Sequence, residues 1–325
     1  MKPPISLWME IEARCNLACR FCYNFWRDGS ESYPRVLPTS DLLRGLDSLF
    51  ENFACRSVAI SGGEPLLRTD IEEIVRFLKA RQIRVVVTTN GTMITADKAD
   101  ALRAWGVDTV QVSLHSTNAA EHDWISSGQA FEPALRALML VRERGIGAVG
   151  VFVATSRNLA GFPGMLRLLA QIDIRTAILN RFIPSGLGAR HHAELGVPDD
   201  DTVLQVLFEA QAVASKTGQT VILGTPIPAA AETRQHLPSV RFGGCPVRQQ
   251  QSRWTIGTDG EIRRCNHSSL SIGNILGDGV SELVKAYSAP PEMPGIVSNC
   301  DRCQLQSPYF TRHAESAGAI QRAGV

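Results

Sequence analysis

The segment IRVVVTTNG-TMITADKADALRAWG-VDTVQVSLH, residues 83–115, carries the pattern that decides the fold. Residues 83–91 form an apolar, β-branched run that ends in Asn-Gly, and residues 96–106 have helical character and close on a glycine. Residues 107–115 are strand-like again. A strand, a helix of about a dozen residues and a second strand are typical of βα units in a parallel sheet.

The same alternation extends to both sides of this segment. Further strands are predicted at 5–12, 57–63, 147–155 and 175–184, and further helices at 39–53, 70–82, 133–145 and 162–172. These elements make six βα units up to about residue 190. The sequence therefore predicts an α/β protein whose first region, residues 1–195, is a partial (β/α)6 barrel.

The alternation breaks after this region. Residues 201–218 predict one longer helix, 220–228 a possible strand, and Asp259-Gly260 the turn of a hairpin. Turn-rich segments that contain cysteines follow. We therefore expect a second region, residues 196–325, made of a linker helix and a small cysteine-rich domain.

Composition excludes several classes of protein. The 325 residues are 44% hydrophobic and 20% charged, with a formal net charge of +1. This balance argues against long disorder and gives no electrostatic reason to bind nucleic acid or a membrane surface. No run approaches the roughly 20 apolar residues of a membrane span, and the N-terminus lacks the features of a secretory signal. The expected location is the cytoplasm.

The eight cysteines are strongly clustered. They occupy positions 15, 19, 22, 55, 245, 265, 300 and 303. A cytoplasmic protein keeps its thiols reduced, so the clusters indicate metal ligands or catalytic thiols rather than disulfides.

The first cluster is Cys15-Asn-Leu-Ala-Cys19-Arg-Phe-Cys22, a C-x3-C-x2-C spacing. Three thiolates this close can bind three irons of a cubane, which leaves the fourth iron without a local protein ligand and able to bind a small molecule. A zinc site completed by a distant ligand is the alternative, although the nearest histidine is His115.

The second cluster comprises Cys245, Cys265, Cys300 and Cys303. Four cysteines in a turn-rich segment can saturate one metal site. Their spacing alone does not choose between tetrahedral zinc and an iron–sulfur cluster.

The first cysteine cluster after strand one, combined with Gly62-Gly63-Glu64-Pro65 after strand two, resembles the radical S-adenosylmethionine (SAM) superfamily over about residues 5–190. The resemblance implies that Cys15, Cys19 and Cys22 hold a [4Fe-4S] cluster whose unique iron chelates SAM. It also implies reductive cleavage of SAM to a 5′-deoxyadenosyl radical, with electrons from a flavodoxin- or ferredoxin-type partner.

The same resemblance assigns roles to individual residues. Phe21 corresponds to the aromatic residue against the adenine, and the turn from Gly62 to Pro65 to the receptor of the SAM amino group. Ser113 corresponds to a ribose or carboxylate contact, although Ser113-Leu114-His115 departs from the S-[IL]-D of many relatives. Asn158 and Arg181 occupy positions of polar SAM contacts, with a loop-capping or surface role as the alternative.

The C-terminal cysteines resemble a SPASM domain or its shortened twitch form. That resemblance implies a second, fully ligated [4Fe-4S] cluster, an auxiliary cluster that relays an electron. Cys55 is then the remaining cysteine, and its position before strand two makes it a poor hydrogen donor for epimerisation. Net oxidation of the substrate is favoured instead.

The resulting prediction is a SAM-dependent radical oxidoreductase acting on a small natural-product or carbohydrate-like molecule. The first alternative is a maturase that cross-links or epimerises a ribosomally made peptide. Many such relatives begin with a leader-binding domain, for which a barrel starting near residue 5 leaves no room. A non-catalytic zinc or iron–sulfur protein, and radical methylation or sulfur insertion, are further alternatives.

Overall fold

The centre of the computed structural model is one sheet, to which eleven strands of the described residues belong. The described residues are 2–27, 34–244, 253–268 and 271–277, with residues 280 and 283. The strands are β1 (Pro4–Glu12), β2 (Ala54–Gly62), β3 (Arg84–Thr89), β4 (Thr109–Ser113), β5 (Gly147–Ala154), β6 (Thr176–Arg181), β7 (Thr220–Leu223), β8 (Val240–Phe242), β9 (Arg253–Ile256), β10 (Glu261–Arg263) and β11 (Ser271–Asn274). Strands β1 to β8 lie side by side in chain order, and each of their pairings is parallel.

Helices connect these parallel strands. They are α1 (Thr39–Asn52), α2 (Ile71–Ala80), α3 (Ala96–Trp105), α4 (Ala119–Ser126), α5 (Phe131–Glu143), α6 (Phe162–Gln171), α7 (His192–Leu195), α8 (Asp200–Thr217) and α9 (Ala231–Gln235). Short 3-10 helices lie at Phe25–Arg27, Pro65–Leu67, Leu159–Gly161 and Gly186–His191. The six predicted βα units and the α/β partial-barrel class are confirmed. Helix α4, which precedes α5 in the β4–β5 connection, was not predicted.

Local signals explain where the helices begin and end. The Thr95 hydroxyl accepts a hydrogen bond from the backbone N–H of Lys98 (3.2 Å) and caps α3. At the other end, Gly106 adopts the left-handed conformation, with φ 89°. A hydroxyl cap and a left-handed glycine satisfy backbone groups that the helix itself leaves unpaired, which is why the sequence pattern located α3 correctly.

Strand β1 shows how the sheet separates an apolar layer from a polar interior. Its alternate residues Ile5, Leu7, Met9 and Ile11 are buried in the hydrophobic core. Successive side chains of a strand point to opposite faces, so the residues between them line the other side of the sheet. These residues are Ser6, Trp8, Glu10 and Glu12. Along β1 the inner face of the barrel therefore carries the polar side chains of Ser6, Glu10 and Glu12 together with the Trp8 ring.

The sheet continues beyond residue 195. Helix α8 packs against α6, and β7 pairs in parallel with β6. Strand β9 pairs in parallel with β1 on the opposite side, and β9 and β10 form the hairpin predicted around Asp259-Gly260. The domain boundary at residue 195 stays a prediction, because the structure shows one sheet on both sides of it.

None of the helices within the described residues combines the length and the apolar character needed to cross a membrane.

Candidate active site

The carboxyl ends of the parallel strands meet at one edge of the sheet. Strand β1 ends at Glu12, β2 at Gly62, β4 at Ser113 and β6 at Arg181. In parallel α/β folds this edge is where ligands bind, because the loops that follow the strands converge there. The cysteine loop, residues 13–24, follows β1, and the other predicted SAM contacts lie at or shortly after the carboxyl ends of β2, β4, β5 and β6.

The cysteine loop lies directly on the glycine turn. The N–H of Gly63 donates to the carbonyl oxygen of Glu12 (2.7 Å), and the N–H of Glu64 donates to that of Arg14 (2.9 Å). A Cβ on Gly62, where φ is +137°, would lie 2.3 Å from the Glu12 oxygen, and one on Gly63 would lie 2.2 Å from the Arg14 oxygen. The glycines therefore have a steric role besides the predicted approach to a ligand, because a side chain at either position would collide with the backbone of the cysteine loop.

The Glu64 carboxyl group links the glycine turn to the end of β3. Its Oε1 atom accepts hydrogen bonds from the Thr89 hydroxyl (2.8 Å) and the N–H of Leu66 (3.1 Å), and its Oε2 atom accepts one from the N–H of Asn90 (2.9 Å). Burial raises the pKa of Glu64 to about 7, while these hydrogen bonds oppose the shift. Pro65 is buried and opens the 3-10 helix that follows. In this conformation the hydrogen bonds of Glu64 stabilise the turn and the end of β3.

The three cysteines share one small region. The N–H of Cys22 donates to the carbonyl oxygen of Cys19 (3.0 Å), which closes a tight turn. Burial raises the pKa of Cys19, and the neighbouring Cys22 and Cys15 thiols raise it further. The turn and the short spacing of the three cysteines along the chain keep their sulfur atoms in this region.

The arrangement fits a cubane cluster. Across the described residues, no group of three or more His, Cys, Asp or Glu side chains surrounds a position for a single metal ion. A [4Fe-4S] cluster makes a different demand, because each thiolate binds its own iron and the sulfurs stand further apart. The residues Cys15, Cys19 and Cys22 therefore fit three ligands of such a cluster.

Two residues beside the thiols were missed by the sequence interpretation. The Nδ2 atom of Asn90 donates to the Cys15 sulfur (3.9 Å) and to Asn16 Oδ1 (2.9 Å), and the Nη2 atom of Arg27 donates to the carbonyl oxygen of Leu17 (2.7 Å). Asn90 belongs to the Asn-Gly pair by which the sequence analysis recognised the end of β3. No sequence signal marked Arg27, because its place depends on the folding of the loop.

Phe21 and His115 pack against each other. Their ring centroids are 4.4 Å apart, at an interplanar angle of 71°. His115 is fully buried, and its Nδ1 atom accepts a hydrogen bond from the N–H of Val153 (3.2 Å). The ring of His122 stacks on it at 5.5 Å. Burial lowers the pKa of His115 well below its usual range and that of His122 to about 4, so the imidazole beside Phe21 and the one stacked behind it are both neutral.

The remaining predicted SAM contacts differ in their surroundings. Ser113 is half-buried at the end of β4. Asn158 is buried, and its Nδ2 atom donates to the carbonyl oxygen of His115 (2.9 Å), a bond of the loop-capping kind. Arg181 is buried as well, and its Nη1 atom donates to Asp200 Oδ1 (2.6 Å). Their roles toward SAM, like that of Phe21, stay predictions.

Of the four cysteines predicted to form the second metal site, one lies within the described residues. Cys265 is half-buried and follows β10, whereas Cys245, Cys300 and Cys303 lie outside the described residues. The ligand set proposed for an auxiliary cluster therefore stays a prediction.

The hairpin that precedes Cys265 is anchored near the cysteine loop. Arg263 forms a buried ion pair with Glu10, and its guanidinium lies over the Phe25 ring at 4.9 Å. Burial raises the pKa of Glu10 to about 7, against the effect of Arg263. Tyr23, the residue after Cys22, has its ring centroid 5.0 Å from that of His267. The segment around Cys265 thus packs beside the first cluster loop.

Comparisons with known proteins agree with this geometry. Residues 9–168 match the model of the Radical SAM superfamily. The chain is 29% identical over 209 residues to Fe-coproporphyrin III synthase of Methanosarcina barkeri, covering 64% of this chain and about half, 51%, of that protein. It is 29% identical over 324 residues to mycofactocin maturase MftC of Mycobacterium tuberculosis, covering 95% of this chain and 80% of the relative.

A solved structure shows the same fold. The crystal structure of Streptococcus suis SuiB bound to precursor peptide SuiA matches with a TM-score of 0.71 and 15% identity, covering 97% of this chain and 74% of SuiB. The family match identifies residues 9–168 as a radical SAM domain, and this superfamily implies a [4Fe-4S] cluster and SAM as cofactors.

Proposed function

We propose that the protein is a radical SAM oxidoreductase whose cluster is held by Cys15, Cys19 and Cys22. The bound cluster supplies the electron that cleaves SAM, and the 5′-deoxyadenosyl radical so formed removes a hydrogen atom from the substrate. The observation that carries this proposal is the contact of the glycine turn with the cysteine loop at the carboxyl edge of the matched domain. We further propose a flavodoxin- or ferredoxin-type protein as the reductant.

SAM is proposed to bind between the glycine turn and the ends of β4 to β6, beside Phe21. Asn24 adds a feature to this surface: its Nδ2 atom donates to the carbonyl oxygen of Gly62 (2.9 Å). Its Oδ1 atom is buried and accepts no hydrogen bond from any of the described residues. A buried acceptor without a partner is costly, so it suits a ligand that brings an N–H donor, as the SAM amino group does.

The proposed substrate is a peptide. The relative that covers 95% of this chain is a maturase, and SuiB was solved with a precursor peptide bound. This reverses the order of the two substrate classes that the sequence alone favoured. The identity and coverage of MftC support the proposal, and the SuiB likeness supports a fold able to receive an extended chain.

A carbohydrate-like small molecule is the second candidate. Half-buried inner-face side chains of the barrel carry hydroxyl or amide groups, namely Thr88, Gln111, Ser113 and Asn180. Thr88 already donates to Gln111 across neighbouring strands (3.1 Å). Uncharged hydrogen-bonding groups of this kind suit the hydroxyl groups of a sugar as well as the amides of a peptide.

Net oxidation of the substrate needs an electron acceptor, for which we propose an auxiliary [4Fe-4S] cluster on Cys245, Cys265, Cys300 and Cys303. The contact of Tyr23 with His267 supports this proposal, since it joins the residue after Cys22 to the segment that contains Cys265. An acceptor near the radical site could take the second electron once the hydrogen atom has been removed.

The test is anaerobic reconstitution followed by iron and sulfide analysis and chromatography of 5′-deoxyadenosine under dithionite. Two cubane clusters give about eight irons per chain, and a Cys15/Cys19/Cys22→Ala variant should retain about four and form no 5′-deoxyadenosine. Cys55→Ala is the matched control, because Cys55 lies on β2 and its thiol donates to the Ser57 carbonyl oxygen (3.6 Å). Equal 5′-deoxyadenosine formation in the triple variant would refute the proposed site.

The substrate class is tested separately by mass spectrometry. Short peptides encoded beside the gene and candidate aminocyclitols are incubated with the reconstituted enzyme and SAM. Loss of two hydrogen atoms from a peptide supports the maturase, and the same loss from the small molecule alone overturns it.

A further inference from the structure

Arg27 follows the cysteine loop in sequence, and its side chain reaches back to the loop. It ends the 3-10 helix Phe25–Arg27, and its backbone N–H donates to the carbonyl oxygen of Asn24 (3.0 Å). Its Nη2 atom donates to the carbonyl oxygen of Leu17 (2.7 Å), a residue between Cys15 and Cys19. The half-buried guanidinium is thus fixed across the loop by the protein's own backbone.

This guanidinium acts on all three thiols. Its bond to the Leu17 carbonyl oxygen places it between Cys15 and Cys19 along the loop, and its charge acts on the sulfur atoms of Cys15, Cys19 and Cys22. Arg27 also hydrogen-bonds to Cys15. Two buried carboxyl groups act in the opposite direction, Glu64 on Cys15 and Glu10 on Cys22. The positive charge of Arg27 therefore acts on all three predicted cluster ligands.

A fixed positive charge beside an iron–sulfur cluster has a defined consequence. Reduction adds negative charge to the cluster, so a nearby cation stabilises the reduced form. Net charge, hydrogen bonds to the sulfurs and solvent exposure are the properties by which a protein sets a cluster's potential. Salt screens such an interaction weakly when the groups are partly buried.

We infer that the guanidinium of Arg27 raises the reduction potential of the cluster bound by Cys15, Cys19 and Cys22. The inference rests on the cluster proposed above. It assigns Arg27 a positioning and electrostatic role, since the residue acts on the cluster through its ligands.

Arg20, within the cysteine loop itself, provides a matched control. Arg20 lies between Cys19 and Cys22 in sequence, but its guanidinium lies over the Trp124 ring at 4.5 Å and donates to Glu194 Oε2 (3.3 Å). Removing the charge of Arg20 therefore changes the loop's net charge by the same amount without removing the group that acts on the thiols.

The test is a redox titration followed by electron paramagnetic resonance on the reconstituted full-length protein. The signal to follow is the one whose shape changes when SAM is added, which separates this cluster from an auxiliary one. Arg27→Gln should lower the equilibrium constant for reduction about tenfold or more, a downward shift of about 59 mV for one electron. Arg27→Lys and Arg20→Gln should stay within about twofold of the wild type, or about 18 mV.

Iron content distinguishes the possible failures. Wild-type protein without iron in the first site would refute the proposed function. Four irons in that site, with Arg27→Gln within twofold of the wild-type constant, would overturn this inference alone. If Arg27→Gln does not assemble the cluster, Arg27→Lys decides: a tenfold change despite the retained charge overturns the inference, and an unchanged constant supports it.

Discussion

The substitution Gly63→Ala tests the contact that organises the site. The added Cβ would lie 2.2 Å from the Arg14 carbonyl oxygen and 2.6 Å from its carbon, about 1 Å short of an ordinary contact. Both neighbours are backbone atoms, so the cysteine loop or the turn must move. The movement breaks the Gly63–Glu12 and Glu64–Arg14 hydrogen bonds, worth about 1 kcal/mol each, and overpacking adds about 1–3 kcal/mol.

We therefore expect Gly63→Ala to lose about 3–5 kcal/mol of unfolding free energy, together with most of its iron and its 5′-deoxyadenosine formation. Urea denaturation under anaerobic conditions measures the first quantity. Gly161→Ala is the control, because Gly161 has φ −77° and a Cβ added there would meet nothing within 4 Å. A Gly63→Ala protein within about 1 kcal/mol of the wild type that still cleaves SAM would refute the steric reasoning.

Three further predictions concern buried polar groups. Burial lowers the pKa of His122 to about 4 in the folded protein, whereas the unfolded chain takes up this proton near pH 6.5. The unfolding free energy should therefore fall by about 2 kcal/mol between pH 7 and 5. His122→Asn should abolish that share of the pH dependence in urea titrations, and an unchanged slope would contradict it. Arg263→Met leaves Glu10 buried without its cation and should cost about 3–5 kcal/mol, less when Glu10→Gln is added. Glu64→Gln turns an amide NH₂ toward groups that already donate, including the Asn90 N–H, and should cost about 1–3 kcal/mol, whereas an unchanged melting temperature would argue that the amide is accommodated.

Much of the fold follows from local signals in the sequence. Each predicted strand of the barrel is an apolar run bounded by turn residues, and β1, β3 and β5 lie within three residues of their expected ends. Helix α4 was missed because its periodicity is short and its cap, Asn118, is a single residue whose side chain accepts from the N–H of Glu121. Local periodicity carries little information over eight residues.

Two of the later strands, β8 and β11, and the pairing partner of β9 could not be placed from sequence. Strands β8 (Val240–Phe242) and β11 (Ser271–Asn274) are three and four residues long, and β9 pairs with β1 across more than two hundred residues of chain. Pairing over such a distance depends on which sheet edge is open after the other strands have assembled, and no local pattern encodes that.

The same distinction between local sequence signals and tertiary packing applies to the candidate site. The sequence by itself determined which groups are present: the spacing of Cys15, Cys19 and Cys22 and the glycine turn indicate the cofactor chemistry because ligand number and spacing are covalent properties of the chain. Only the tertiary structure decided what surrounds them. Arg27 and Asn90 reach the thiols because the loop folds back on itself and because the strand ends meet at one edge of the sheet, and both are consequences of packing.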